Sequence, residues 1–269
     1  MRVPVRRPTD VDQIAVRMPA TAAYSSHHFT IFLYTGNDDD PLPSDPFDAR
    51  GCVGGMGGQG VSPILAFVQR PRQRLRFPSG VGISLRPGQR LLLNAHYVNG
   101  GETTATVAAT VKFRSALRGS IRHHARTFQL GTADILVPPS VAGSATARWH
   151  APLPMNVFSL TLHSHKHTTA ASIELLDAAG DAHPLLVTQD YADPVVRQFE
   201  PALRLERGDA FRWTCSYLNT TAETLRFGLR AEDEMCFAAG FFYPEDDGAP
   251  LPRLPACAGG DDSFVCPFN

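Results

Sequence analysis

Short alternating or β-branched runs recur along the whole chain, while helical periodicity is scarce. In the first half they are Gln13 to Met18, His28 to Leu33, Ile64 to Val68, Gly82 to Leu85, Arg90 to Val98 and Thr106 to Phe113. Successive side chains of a strand point to opposite faces, so short period-two runs bounded by turn residues read as half-buried strands. Pro87-Gly88 fits a type II turn with glycine supplying the positive φ, and Asn99-Gly100 fits a hairpin turn that makes Arg90 to Val98 one arm of a meander. The second half repeats the pattern with Thr127 to Val137, Met155 to His163, Ala171 to Leu176, Pro201 to Leu205, Phe211 to Leu218, Leu225 to Leu229 and Phe237 to Tyr243. The expected fold class is all-β.

A chain of 269 residues can hold two cores, since domains typically run to about 100 to 150 residues. Ala116 to Arg126 has no clear periodicity, and the boundary is expected there: a first domain over 1–116, a linker over 117–126, a second domain over 127–248 and a Pro-rich tail over 249–269 held down by Cys257 and Cys266. Asp38-Asp39-Asp40 and the glycine run from Gly51 to Gly60 read as loops, the latter without the Lys-Ser/Thr ending of a phosphate loop. Net charge is -1 and the basic residues are scattered along the sequence, so neither nucleic acid nor an anionic membrane is expected as a partner. No apolar run comes near the roughly 18 residues that cross a bilayer, and the basic Met1 to Pro8 has no apolar segment after it. Five cysteines without metal-type spacing favour an oxidising compartment, extracellular or periplasmic. Cys215, Cys236, Cys257 and Cys266 are enough for two disulfides, with Cys52 left over.

The histidines and one methionine carry the chemistry. His27 and His28 are adjacent, His96 follows, then His163 and His165, and Met235 stands in Glu-Asp-Glu-Met-Cys. These six read as two three-ligand copper sites. Imidazole suits copper, zinc, iron and nickel alike, whereas a thioether favours copper(I), so Met235 discriminates. A structural zinc site would use four Cys and His ligands. A lone His-His pair is more often surface or core. His163 and His165 lie inside an apolar run, where period two puts both on one strand face, and His167 falls on that face by the same count. Spacing does not choose among the three. His123-His124, His150 and His183 lack strand context and read as surface or packing residues.

With those residues stands a series of segments: His27-His28 before an apolar strand, Gly80-Val81-Gly82 leading to Ala95-His96-Tyr97, Val137-Pro138-Pro139, Pro154-Met155-Asn156-Val157-Phe158, Leu162-His163-Ser164-His165 and Asp233-Glu234-Met235-Cys236. In content and order they resemble the copper type II, ascorbate-dependent monooxygenases. The resemblance implies two antiparallel β-sandwich domains of jelly-roll type facing each other across a copper-lined cleft. It implies that His27, His28 and His96 bind an electron-transfer copper, and that His163, His165 and Met235 bind the copper that meets oxygen. It selects His163 and His165 over His167, and it pairs Cys215 with Cys236. The implied activity is hydroxylation of an activated C–H bond of a small-molecule or peptide substrate, with O2 and electrons from ascorbate or a similar reductant. The rival function is a copper-binding or redox-carrier protein without turnover.

Three departures from the family pattern stand out. Peptidylglycine enzymes hold a substrate carboxylate with an Arg, an Asn and a Tyr where this chain has Thr161, Phe237 and Ala239, so a bidentate anion clamp is absent. A less polar substrate is expected, unless Arg212 or Arg230 supplies the charge from another strand. Met1-Arg2-Val3-Pro4 resembles an internal strand of the family, and Cys52 is expected to have lost its partner with the strands before it. Tyr34 replaces a family cysteine, which removes one first-domain disulfide. Asn219-Thr220-Thr221 matches a glycosylation acceptor, although a polar turn is the plainer reading.

Overall fold

The computed structural model describes residues 3, 5–18, 24–34, 61–68, 70–104, 106–228, 232–246, 258–260 and 263–266. It divides into two compact units, Met1–Arg126 and Thr127–Asn269. Among the described residues every helix or strand element is a strand. The loops expected around Asp38-Asp39-Asp40 and from Gly51 to Gly60, with Cys52, lie outside the described residues, as do 249–257 with Cys257.

In the first unit, β2 (Tyr24–Tyr34) pairs antiparallel with β3 (Val61–Val68) and β6 (Leu91–Asn99). A second sheet centres on β1 (Thr9–Arg17), which pairs antiparallel with β4 (Arg72–Arg76), β5 (Val81–Leu85) and β7 (Thr110–Ser115). The Pro87-Gly88 turn has Gly88 at φ 76° and a Gln89 N–H donating to the Arg86 carbonyl at 3.2 Å, the geometry of a type II turn. Asn99-Gly100 is not a hairpin turn. The Asn99 side chain accepts from the Gly101 N–H at 3.0 Å and donates to the Thr103 carbonyl at 2.9 Å, a side-chain-capped turn that competes with the backbone alternative. The next strand, β7, pairs with β1 rather than β6, so the meander reading fails there. His123 and His124 form β8 (His123–His124), which runs parallel to Val81 and Gly82 of β5.

The basic residues that are scattered in sequence do not stay scattered in space. Arg72, Arg74 and Arg76 are opposite Arg17, Ala15 and Gln13, which in turn are opposite Thr110, Lys112 and Arg114. Directly opposed residues share a sheet face, so these nine positions share one, while Ile14, Val16 and Leu75 are buried on the other.

In the second unit, β9 (Arg126–Gly131) and β10 (Leu136–Val137) replace the single strand expected over Thr127 to Val137. There follow β11 (Ala142–His150), β12 (Met155–Ser164), β13 (Thr168–Leu176), β14 (Ala182–Thr188), β15 (Val196–Leu205), β16 (Ala210–Leu218), β17 (Leu225–Arg226), β18 (Cys236–Pro244), β19 (Ala258–Gly260) and β20 (Ser263–Cys266). One sheet has the order β11-β16-β13-β14 and another β15-β12-β18-β9-β20-β19. Their inner faces share one core that includes Trp149, Phe211, Trp213 and Ile173 from the first and Phe128, Leu160, Leu162 and Phe242 from the second, a sandwich arrangement. Part of the expected tail is strand, since β20 pairs with β9.

Candidate metal centre

Strand β12 changes faces midway. Val157 pairs with Phe242 and Ser159 with Phe241, so Phe158 is an extra residue on β12. Before this bulge Met155 and Val157 enter the core; after it Leu160 and Leu162 do. The bulge shifts the alternation by one, which puts Ser159, Thr161 and His163 on the opposite face from the core. Without it, the histidine would compete with leucine for the interior. Along the same register, Thr161 is opposite Ala239, His163 opposite Phe237 and Ser164 opposite Cys236. The ladder ends at that pair; His165 follows Ser164 directly and Met235 precedes Cys236. His163 and His165 are both buried, and their rings meet edge to face at 5.2 Å between centroids.

The segment carrying Met235 is held from the other sheet by three alternate residues of β16. Cys215 is disulfide-bonded to Cys236, the Trp213 indole N–H donates to the Cys236 carbonyl at 3.3 Å, and the Tyr217 hydroxyl donates to the Met235 carbonyl at 3.1 Å. Period two is the reason one strand supplies all three. Met235 itself is buried. The segment also orients a candidate ligand: His165 Nδ1 lies 2.7 Å from the Asp233 carbonyl. A carbonyl only accepts, so Nδ1 carries the proton and Nε2 carries the lone pair that a metal would use.

Glu234 is fully buried, and its Oε1 accepts the His167 N–H at 3.1 Å. Burial pushes its carboxyl up to about 7, against the opposite pull of N–H groups from His167, His165 and Met235. The Tyr217 hydroxyl is raised by burial and then by the charge of Glu234. Sequence reasoning did not single out Glu234, Asp233 or Tyr217. Asp233 and Glu234 entered only as part of the segment around Met235, and the signal for Tyr217 was its alternation with Cys215.

Strand β12 ends at Ser164, and His167 sits in the turn before β13, where burial and then Lys166 lower its pKa. His150 Nδ1 lies 3.0 Å from the Gly208 carbonyl, His183 pairs with Asp177 at 2.9 Å, and His124 lies 3.2 Å from Ser84 Oγ. In the first unit His28 is directly opposite His96, and His27 is the extra residue of a bulge between Ser26 and His28. His28 is buried and stacks on Phe67 at 5.8 Å. The side chains of His27 and His96 lie outside the described residues.

Thr161 is half-buried and donates to the Val195 carbonyl at 3.1 Å. Phe237 is buried, with its ring 6.4 Å from His163 and 6.3 Å from Phe227. Arg212 is committed elsewhere, pairing with Glu174 at 2.7 Å on the other sheet; Arg230 lies outside the described residues. Asn219 is 1% exposed. Its amide donates to the carbonyls of Val137, Pro138 and Glu223, and its carbonyl accepts from Thr221. It is a buried turn residue rather than a glycan acceptor in the folded state.

Among the described residues no three His, Cys, Asp or Glu side chains come together as a metal site would need. The second-unit set is of another kind, two imidazoles and a thioether, and this donor chemistry fits copper.

No curated protein matches the sequence. Among solved structures, a crystal structure of the T13 IBDV viral particle aligns at 11% identity over 97% of this chain and 65% of that one, with a TM-score of 0.19 that carries no argument. The family model for the C-terminal domain of copper type II ascorbate-dependent monooxygenase matches residues 124–257, about half of the chain and nearly all of the described second unit. The chain belongs to the copper type II, ascorbate-dependent monooxygenase family.

Proposed function

We propose that this protein is a copper-dependent monooxygenase that hydroxylates an activated C–H bond with O2 and two electrons from ascorbate or a similar reductant. The observation that carries this reading is the buried His163 and His165 pair, with His165 Nε2 selected by the Asp233 carbonyl, facing the anchored Met235 segment. His163, His165 and Met235 would hold one copper ion, and His27, His28 and His96 a second. Copper held by the Met-containing set would supply oxygen activation, and copper held by the all-histidine set would supply an electron. Three protein ligands leave a position open.

The chain's own groups shape what reaches that position. Thr161, Ala239 and Phe237 flank His163 on the β12–β18 face, and none carries charge. Thr161 already gives its proton to a backbone carbonyl. A neutral, largely apolar substrate fits these neighbours better than a carboxylate does. The bond between Cys215 and Cys236 supports an oxidising compartment, extracellular or periplasmic. No described helix is long and apolar enough to cross a membrane.

Metal analysis of the wild type beside Met235→Ile and His96→Ala tests the assignment. Two coppers in wild type and about one in each variant are expected; zinc, or no dependence on Met235, overturns it. Oxygen consumption with ascorbate and candidate substrates separates the oxygenase from a redox carrier, which would bind copper and consume no oxygen.

A further inference from the structure

The nine-position face of the β4–β1–β7 sheet holds six cations, Arg17, Arg72, Arg74, Arg76, Lys112 and Arg114, with Gln13, Ala15 and Thr110 at the remaining places. All six are exposed. Alternate residues of a strand are about 6.8 Å apart and neighbouring strands about 4.8 Å, so the cations stand on a patch of roughly 14 by 10 Å. Arg114 pairs with Asp12 at 2.6 Å. The other five have no ion pair or side-chain hydrogen bond among the described residues. Holding like charges this close costs free energy, and among the described residues Asp12 is the one carboxylate paired with the face.

We propose that this face binds a linear sulfated polysaccharide. Five of the six cations are guanidinium groups, whose planar fork matches a tetrahedral oxyanion in two-point contact. Their spacing on a three-stranded face suits an extended polyanion laid across the strands. Other polyanions fit less well. Single-stranded nucleic acid is bound on aromatic platforms, and this face has none. Duplex readout needs an element that enters a groove, and a sheet face does not project. A membrane surface is gripped by basic residues together with bulky apolar ones, whereas the remaining residues are Gln13, Ala15 and Thr110. Anionic lipids also concentrate on the cytoplasmic leaflet, while the bond between Cys215 and Cys236 points to an oxidising compartment.

Heparin is the probe, with the full chain and titration over a range of salt. Wild type should bind at 0.15 M salt, a physiological ionic strength, with affinity falling steeply as salt rises. The triple variant Arg72→Gln, Arg74→Gln, Arg76→Gln should bind roughly tenfold or more weakly, with a shallower salt slope. A double variant on the adjoining strands, Arg17→Gln with Lys112→Gln, should weaken binding in the same sense and covers the case of a misfolded β4 variant. A control triple variant outside the nine positions, Arg118→Gln, Arg148→Gln and Arg207→Gln, changes net charge equally and should lose less than about twofold. Equal losses in the two triple variants, or no binding by wild type, overturn the proposal. So does tighter binding of duplex DNA or phosphatidylserine vesicles than of heparin through the same arginines. None of these measurements depends on copper.

Discussion

Replacing Cys215 and Cys236 together by alanine tests how the Met235 segment is held. The two residues are 21 apart in sequence. Closing a loop of that length removes about 11 cal/mol/K from the unfolded chain, or about 3 kcal/mol at 25 °C. The second unit spans Thr127–Asn269, a size at which 1 kcal/mol moves the melting point by about 3 to 4 °C. Its transition should therefore fall by about 10 °C, while that of the first unit stays in place. Both cysteines are fully buried, so a reductant added to the folded wild type should not reproduce the effect until the unit opens. Two ties to β16 survive in the variant, from Trp213 and Tyr217. Copper content at the second site should accordingly survive at low temperature, with affinity reduced. Differential scanning calorimetry of metal-loaded and chelated protein gives the transitions, and metal analysis gives the copper content. A shift under about 3 °C would mean that the bond does little to the unfolded chain, and loss of copper without loss of stability would mean that Trp213 and Tyr217 do not hold the segment.

Three further outcomes follow from particular contacts. A methyl group at Gly240 would lie 2.4 Å from the Ser159 carbonyl oxygen and 2.5 Å from the Phe128 ring; Gly240→Ala should cost about 1 to 3 kcal/mol, read from the denaturant midpoint, and an unchanged midpoint would show that β12 and β18 separate freely. Asp177 accepts N–H groups from Ala179 and Asp181 and pairs with His183, which holds its pKa below the usual carboxylate value. Its contribution is therefore present above the unfolded-state pKa and lost as pH falls through the depressed folded-state value, so Asp177→Ala should be less stable than wild type at pH 7 and equal to it in strong acid; a gap that persists in acid would refute the carboxylate's role. Asn219→Asp would set a carboxylate against the carbonyls of Val137, Pro138 and Glu223, costing about 3 kcal/mol or more, and peptide mapping of protein made in a glycosylating host should find Asn219 bare.

The fold class was legible because most core strands carry apolar alternation that turn residues interrupt. The strands that escaped had other compositions. In β11 the inward positions are Ala145, Ala147 and Trp149, and small residues give a weak alternating signal although they fill the space beside Phe211 and Trp213. In β4, Leu75 is the one buried hydrophobic residue among arginines and glutamine, so nothing local marks it as a strand; pairing with β1 decides it. The basic face was invisible for the same reason. Net charge sums over the chain, whereas register brings together Arg17, Arg72 to Arg76 and Lys112, which are far apart in sequence.

The histidine motifs show the opposite limit, where period two was applied correctly and still did not determine the faces. His27 and His28 are neighbours, and His27 is the extra backbone residue of a bulge, so the regular count of alternation does not carry across the pair. His163 would follow Val157 into the core by an uninterrupted count, and the bulge at Phe158 turns it away. His165 and His167 both lie beyond the end of β12, so strand alternation no longer relates them. Each of the two bulges is one extra residue in a backbone ladder, an event that alternation along a single strand does not reveal. Phe158 is packed against Phe241 and Tyr243 at 5.9 and 6.4 Å, so the extra residue is held by side chains from β18, the strand that begins next to Met235. The same strand therefore carries the anchor for Met235 at one end and the packing that redirects His163 at the other.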